Sequence, residues 1–260
     1  MRTKIQVGKR SRCRLSVSRF WAISCAFLVF GECLFAGEKA VFANSLEMSF
    51  LPVSGSVLLS RYETRIRDFD AFVSDGVKGV PEPSFLQNGD HPVVNVSWED
   101  AQRFCIWLTA TERKSGVISG DQRYRLPTEE EWLQAAGVES FAGQDFVESR
   151  ELIFCWGESW PPPAAVGNFG AELGVDEFDA TSPVGSFRAN ENGFFDLSGN
   201  VWEWCADTFE GATDIRVLKG GSWRMREPSR LALNRRIGNA CGLRLPTYGF
   251  RVALETVGRD

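Results

Sequence analysis

Apolar residues recur at helical steps in three stretches, and each stretch opens on a start signal. The clearest begins at Ser97. Asp100 stands at its third position, and Ala101, Phe104, Cys105 and Leu108 then repeat along one face. A second begins at Thr128, where Glu131 completes a capping box. Glu129 and Glu130 sit where the helix dipole favours acids, and Gly137 can close the helix. The third is expected to follow Thr64 as N-cap, with Ile66, Phe69, Phe72 and Val73 on one face and Gly76 as the stop.

Between and after these helices the period changes. Short strands are predicted at 48–52 and 57–61, and a Pro-rich loop runs over 81–92. Beyond Gly137 the chain is rich in Gly, Pro, Asn and Trp. Its only extended runs there are short, at 194–196, 201–205, 217–223 and 248–254. A few helices followed by a long, loop-dominated half with short strands predicts an α+β domain. Arg-Leu-Pro-Thr occurs at 125–128 and again at 244–247, once before a helix and once before a strand, so it is no repeat.

Composition agrees with a globular chain: 43% apolar and 24% charged over 260 residues. Charge adds a division. Residues 1–19 carry seven Lys or Arg and no acid, which leaves 22 basic against 34 acidic groups from Phe20 onward. A body that acidic repels phosphate backbones, so nucleic-acid binding is not expected. His91 is the single histidine, which excludes a multi-histidine iron or zinc centre. It is followed by Pro92, and a packed loop residue is the better reading of it than a general base.

The basic run leads into an apolar stretch at 20–30, too short for a comfortable membrane span. Small residues follow at Ala36-Gly37 and at Val41-Phe42-Ala43. Residues 1–43 therefore read as a signal peptide or N-terminal anchor, and 44–260 as one domain without a linker. The expected location is periplasmic or secreted, in a bacterial setting; an uncleaved leader would give a membrane-anchored form facing outward. Cys13, Cys25 and Cys33 belong to the leader. Cys105, Cys155, Cys205 and Cys241 permit two disulfides in any of three pairings, or, for Cys105 and Cys205, simple burial as small hydrophobes.

Five segments follow one another in a telling order. They are His91-Pro92-Val93-Val94-Asn95-Val96-Ser97-Trp98, Tyr124-Arg125-Leu126-Pro127-Thr128-Glu129-Glu130-Glu131-Trp132, Asn192-Gly193-Phe194-Phe195-Asp196-Leu197-Ser198-Gly199-Asn200-Val201-Trp202-Glu203-Trp204, Lys219-Gly220-Gly221-Ser222-Trp223 and Tyr248-Gly249-Phe250-Arg251. Together they resemble the formylglycine-generating enzyme, or sulfatase-modifying factor, family over about Tyr62 to Leu254. The resemblance implies a C-type-lectin-like α+β fold whose irregular loops are stabilised by calcium. It implies one site made by the Asp196 side chain, the Gly199 and Val201 carbonyls and the Glu203 carboxylate. It implies another made by Asn168, the Phe169 carbonyl, Asp176 and the Phe178 carbonyl. Ca²⁺ takes six to eight hard oxygens, which such loops can supply. The competing reading is that these acids cap turns or pair with Arg251. Glu177 stands where the family has glycine, which narrows the backbone options of the second loop.

One departure decides the functional expectation. The family's enzymes carry two cysteines five residues apart after Gly-Gly-Ser-aromatic, and their thiolates bind Cu(I), the soft ion that soft ligands select. Here those positions hold Met225 and Arg230. A thioether is a weak ligand and a guanidinium has no lone pair to offer. No catalytic residue is assigned and no copper is expected. The chain reads as a pseudoenzyme, a monomeric scaffold that binds a protein or an anionic ligand. Trp223, Arg224, Arg226, Arg230 and Arg236 are the candidate contacts, with Arg235 and Arg244 nearby in sequence, because arginine forks suit carboxylate, sulfate or phosphate. The same arginines could instead pair with the chain's own acids. The alternative functions are a sulfatase-modifying-type oxidoreductase with altered chemistry on a protein or peptide, or packing against an envelope protein. Trp98, Trp132, Trp202 and Trp204 read as core, and Trp156 and Trp160 as either groove or core.

Overall fold

The computed structural model describes residues 42–138 and 151–258. The chain divides into Met1–Gly37 and Glu38–Asp260, and every described residue belongs to the second unit. The expected leader thus lies outside the described residues except for Phe42 and Ala43. Those two form β1 (Phe42–Ala43), an edge strand against β2 (Ser49–Ser54), with Phe42 opposite Phe50. Among the described residues no helix is long and apolar enough to cross a membrane.

β2 turns through Gly55 into β3 (Val57–Ser60). The first helix, α1 (Ile66–Ser74), starts one residue later than Thr64 suggested. Arg65 is its N-cap, because Asp68 reaches back to accept from both the Arg65 amide and its guanidinium. Next come α2 (Trp98–Ser115), β4 (Gln122–Arg125) and α3 (Glu129–Ala136). Ser97 and Thr128 cap as expected, each in a capping box, and Gly116 and Gly137 end the helices in left-handed backbone.

From 151 to 201 a single 3₁₀ turn at Ala171–Leu173 is the regular structure among the described residues. The strand expected at 194–196 is not formed. Asp196 takes a left-handed φ of 57°, which breaks extension, and the Phe195 amide makes one bond to the Arg61 carbonyl. β5 (Trp202–Phe209), β6 (Ala212–Lys219), α4 (Pro228–Leu231), β7 (Ile237–Ala240), β8 (Tyr248–Gly249) and β9 (Ala253–Thr256) complete the order. The run expected at 217–223 is strand only to Lys219, since Gly220 and Gly221 adopt φ of 95° and 83°. The run at 248–254 is split, with Arg251 in the gap.

Two sheets result, ordered β1-β2-β3-β9-β4 and β7-β6-β5-β8. This is the α+β architecture the pattern predicted. Phe69, Phe104 and Phe250 meet within one buried cluster that also holds Trp204 and Leu254. Trp132, Leu133, Phe194, Leu197 and Ala253 lie in a second. Each buried Leu or Phe among them contributes about 1.5–3 kcal/mol through removal from water. Trp132, Trp202 and Trp204 are buried and Trp98 is half-buried, with the Trp98 and Trp204 indoles donating to the carbonyls of Cys205 and Val96. All four described cysteines are free thiols, so the permitted disulfides are absent; Cys105 and Cys205 are buried.

Candidate functional site

Arg251 sits between the two sheets, fully buried. Its five N–H donors all find oxygen. Nε and Nη2 hold Glu203 Oε2 and Oε1 at 2.6 and 2.7 Å, Nη2 also reaches Phe195 O at 2.9 Å, and Nη1 reaches Ser60 O and Arg61 O at 3.2 and 3.3 Å. Glu203 accepts a third bond, from the Trp132 indole at 2.9 Å. Glu63, just ahead of α1, accepts from the Asn200 side chain at 2.6 Å and from the Val201 amide at 3.2 Å. Asp196 accepts from the Gly185 amide at 2.7 Å. Burial pushes the Glu63 carboxyl well above the usual range, and Asp196 and Glu203 push it further. Asp196 is pushed up to about 6, mainly by burial, against the Gly185 amide and the Arg251 charge.

Glu203 is therefore paired with a guanidinium, while Asp196 is held by the Gly185 amide and only feels the Arg251 charge. Arg251 and Trp132 together take three of the acceptor positions of Glu203, so of the two uses considered for this acid the pairing with Arg251 is the arrangement found. Among the described residues no group of three or more His, Cys, Asp or Glu side chains is arranged to hold a metal.

The other loop differs. Asn168 is buried, and its Nδ2 donates to Ala180 O at 2.8 Å and to Asn200 Oδ1 at 3.3 Å. Its Oδ1 is left buried without a hydrogen-bond partner. A buried carbonyl oxygen in that state is costly unless something electropositive meets it. Asp176 folds over the same loop and accepts from the amides of Phe169 at 3.0 Å and Phe178 at 2.9 Å. This oxygen set fits a hard cation. Glu177 is not among the residues with left-handed backbone, so its replacement of glycine costs the loop nothing in φ.

The arginine-rich stretch is distributed by the fold. Trp223 packs edge-on to Phe85 at 5.3 Å, the Arg224 guanidinium lies 4.9 Å from the Trp223 ring centroid, and the Trp223 indole donates to Pro246 O. Arg224 and Arg230 are exposed. Arg226 pairs with Glu172 and lies 3.7 Å from Glu227. Arg244 makes a two-point pair with Asp100, at 2.7 and 3.0 Å. Arg236 is drawn to Glu129 at 2.8 Å, at the start of α3, where Lys219 also pairs. Three of the arginines thus serve the chain's own acids, and Phe85, Trp223 and Arg224 form one open stack.

His91 bonds through Nδ1 to Thr181 Oγ1 at 3.0 Å and accepts from the Ile66 amide through its carbonyl, as a packed loop residue does. Trp156 lines a groove of about 790 Å³ with Phe154, stacked on it at 4.8 Å. Glu63 and the Trp132–Glu203 bond carried no sequence signal. An isolated acid ahead of a helix looks like any turn residue, and an indole on an apolar face reads as core. The Arg251–Glu203 pair was visible only as one of two uses for the same acids.

The pattern defining the sulfatase-modifying factor enzyme 1-like domain matches residues 53–256. The inactive C-alpha-formylglycine-generating enzyme 2 of Bos taurus is 33% identical over 183 residues, covering 66% of this chain and 53% of that protein. The formylglycine-generating enzyme of Thermomonospora curvata is 31% identical over 202 residues, covering 67% and 59%. The chain thus spans about half the length of the curated relatives it matches. The structure of PvdO from Pseudomonas aeruginosa superposes with a TM-score of 0.58 at 26% identity, covering 79% of this chain and 82% of that one. Residues 53–256 place the chain in the sulfatase-modifying factor enzyme 1-like domain family.

Proposed function

We propose that the chain is a non-catalytic member of this family, an exported scaffold stabilised by calcium that binds an anionic or protein ligand through the face around Trp223. What supports this reading is Met225 and Arg230, which by the sequence resemblance stand where the family's enzymes hold their copper-binding cysteines. The Met225 side chain is half-buried against the apolar core. Arg230 projects a permanent positive charge from α4. A centre built on two thiolates has neither ligand here.

Calcium belongs, in this reading, to Asn168, the Phe169 carbonyl, Asp176 and the Phe178 carbonyl. The orphaned Asn168 Oδ1 supports it. There the ion would tie down a loop that has little regular structure of its own. The ligand face is narrower than the sequence suggested. Arg224 over the Trp223 ring offers a flat aromatic and guanidinium donors for a carboxylate or sulfate, and Arg230 is a second exposed arginine of the same segment. Titration with sodium sulfate tests this part. Binding that weakens tenfold or more in Arg224→Ala supports the assignment, and binding unchanged in that variant contradicts it.

A further inference from the structure

The loop set at Asp196, Gly199, Val201 and Glu203 has the residues of a metal site and the geometry of something else. We propose that Arg251 is the resident cation of the pocket formed by Glu63, Asp196 and Glu203, so that this centre is closed by a guanidinium and takes no metal.

Shape supports this as much as charge. The oxygens that meet Arg251 lie along the edges of a plane: both Glu203 oxygens on one side, Phe195 O beside them, and Ser60 O and Arg61 O on the far side. A planar fork with five donors satisfies five acceptors spread that widely. A point cation needs six to eight oxygens converging to 2.3–2.6 Å, roughly, around one centre. The remaining acids are held elsewhere. Glu63 is fixed by Asn200 and Val201, and Asp196 by the Gly185 amide. Arg251 also links parts that no regular element joins: the end of β3 at Ser60, the 195 loop, and β5 at Glu203, which holds Trp132 of α3. A covalently attached cation makes that junction independent of metal supply.

The test is calorimetric titration of CaCl₂ into the chelator-stripped full chain carrying Asp176→Asn, which removes the carboxylate of the other loop. No stoichiometric binding and a Tm unmoved by calcium are expected. One bound equivalent that disappears on adding Glu203→Gln would overturn the proposal. Should Asp176→Asn fail to fold, the stoichiometry of the unmutated chain decides: at most one equivalent is expected, and two, the second lost in Glu203→Gln, would overturn it. An unmutated chain that binds no calcium at all would refute the assignment to Asn168 and Asp176 and support this one.

Discussion

The amide of Gly170 donates to the carbonyl of Met225 at 2.9 Å. That bond fastens the loop carrying Asn168, Phe169 and Asp176 to the segment that presents Trp223 and Arg224. The approach is close: a Cβ at position 170 would lie 3.2 Å from Met225 O and 3.3 Å from Arg224 O. Order in the one loop is therefore order in the other. Removing calcium with EGTA should lower Tm and shift the Trp223 indole resonance in a nitrogen–proton spectrum, assigned by its loss in Trp223→Phe. Saturation at a hundred times Kd corresponds to about 2.7 kcal/mol. Asp176→Asn should remove both responses, and a Trp223 signal indifferent to calcium would show the loops to be uncoupled.

Arg251→Lys should be severe although the charge is kept. An ammonium cannot span Glu203, Phe195 O and the Ser60 and Arg61 carbonyls at once, and Glu203 would be left partly unpaired in a fully buried site. The expected loss is about 3 kcal/mol or more, read from the urea midpoint. Arg251→Met with Glu203→Gln should cost less than the sum of the two single changes, because neither charge is then stranded. A change within about 0.5 kcal/mol for Arg251→Lys, the size of ordinary surface substitutions, would contradict the role given to the fork.

Acid should release the clamp between α2 and the 244 loop. Burial raises the Asp100 carboxyl, but Arg244, the Ser97 amide and hydroxyl, and Arg103 outweigh it and hold it at about 2. A carboxyl lowered in the folded state adds stability above its unfolded pKa of about 3.9 and loses it as pH falls toward 2. With Arg244 and Arg103 half-exposed, the screened contribution is about 1 kcal/mol. Tm measured between pH 5 and pH 2 should fall less steeply in Arg244→Met than in the unmutated chain. Parallel curves would remove Asp100 from the acid response.

Gly199→Ala should be among the most damaging small substitutions. Its φ is +91°, and the added Cβ would meet Asn168 O at 2.2 Å and the Phe169 ring at 2.8 Å. Backbone strain of about 1–2 kcal/mol adds to about 1–3 kcal/mol of overpacking. Gly211→Ala is the matched control, with φ of +76° and open space around it. It should show the strain alone. Equal losses in the two variants would mean that the close approach between Gly199 and Asn168 carries no weight.

The helices were legible because their signals are local. Ser97 with Asp100 and Thr128 with Glu131 each satisfy helix-end donors within four residues, and the structure keeps both boxes. Thr64 failed by one position because the Asp68 carboxylate prefers the amide and guanidinium of Arg65, a choice residue type alone does not express. The 194–196 run looked extended, but the left-handed Asp196 turns its carboxylate to the Gly185 amide instead. The arginine cluster looked like one surface because its members are close in sequence. Glu172, Glu129 and Asp100, distant along the chain, pull Arg226, Arg236 and Arg244 to three separate places. Pairings over such separations are set by the packed sheets, which is why the site was readable in its residue types and not in its partners.

The most direct measurement is turnover. The purified chain, reconstituted with cuprous ion under oxygen, is incubated with a cysteine-containing sulfatase-type peptide and the product is followed by mass. No aldehyde and no tight copper binding are expected with Met225 and Arg230 in place. Catalytic conversion of the peptide cysteine to formylglycine would contradict the account.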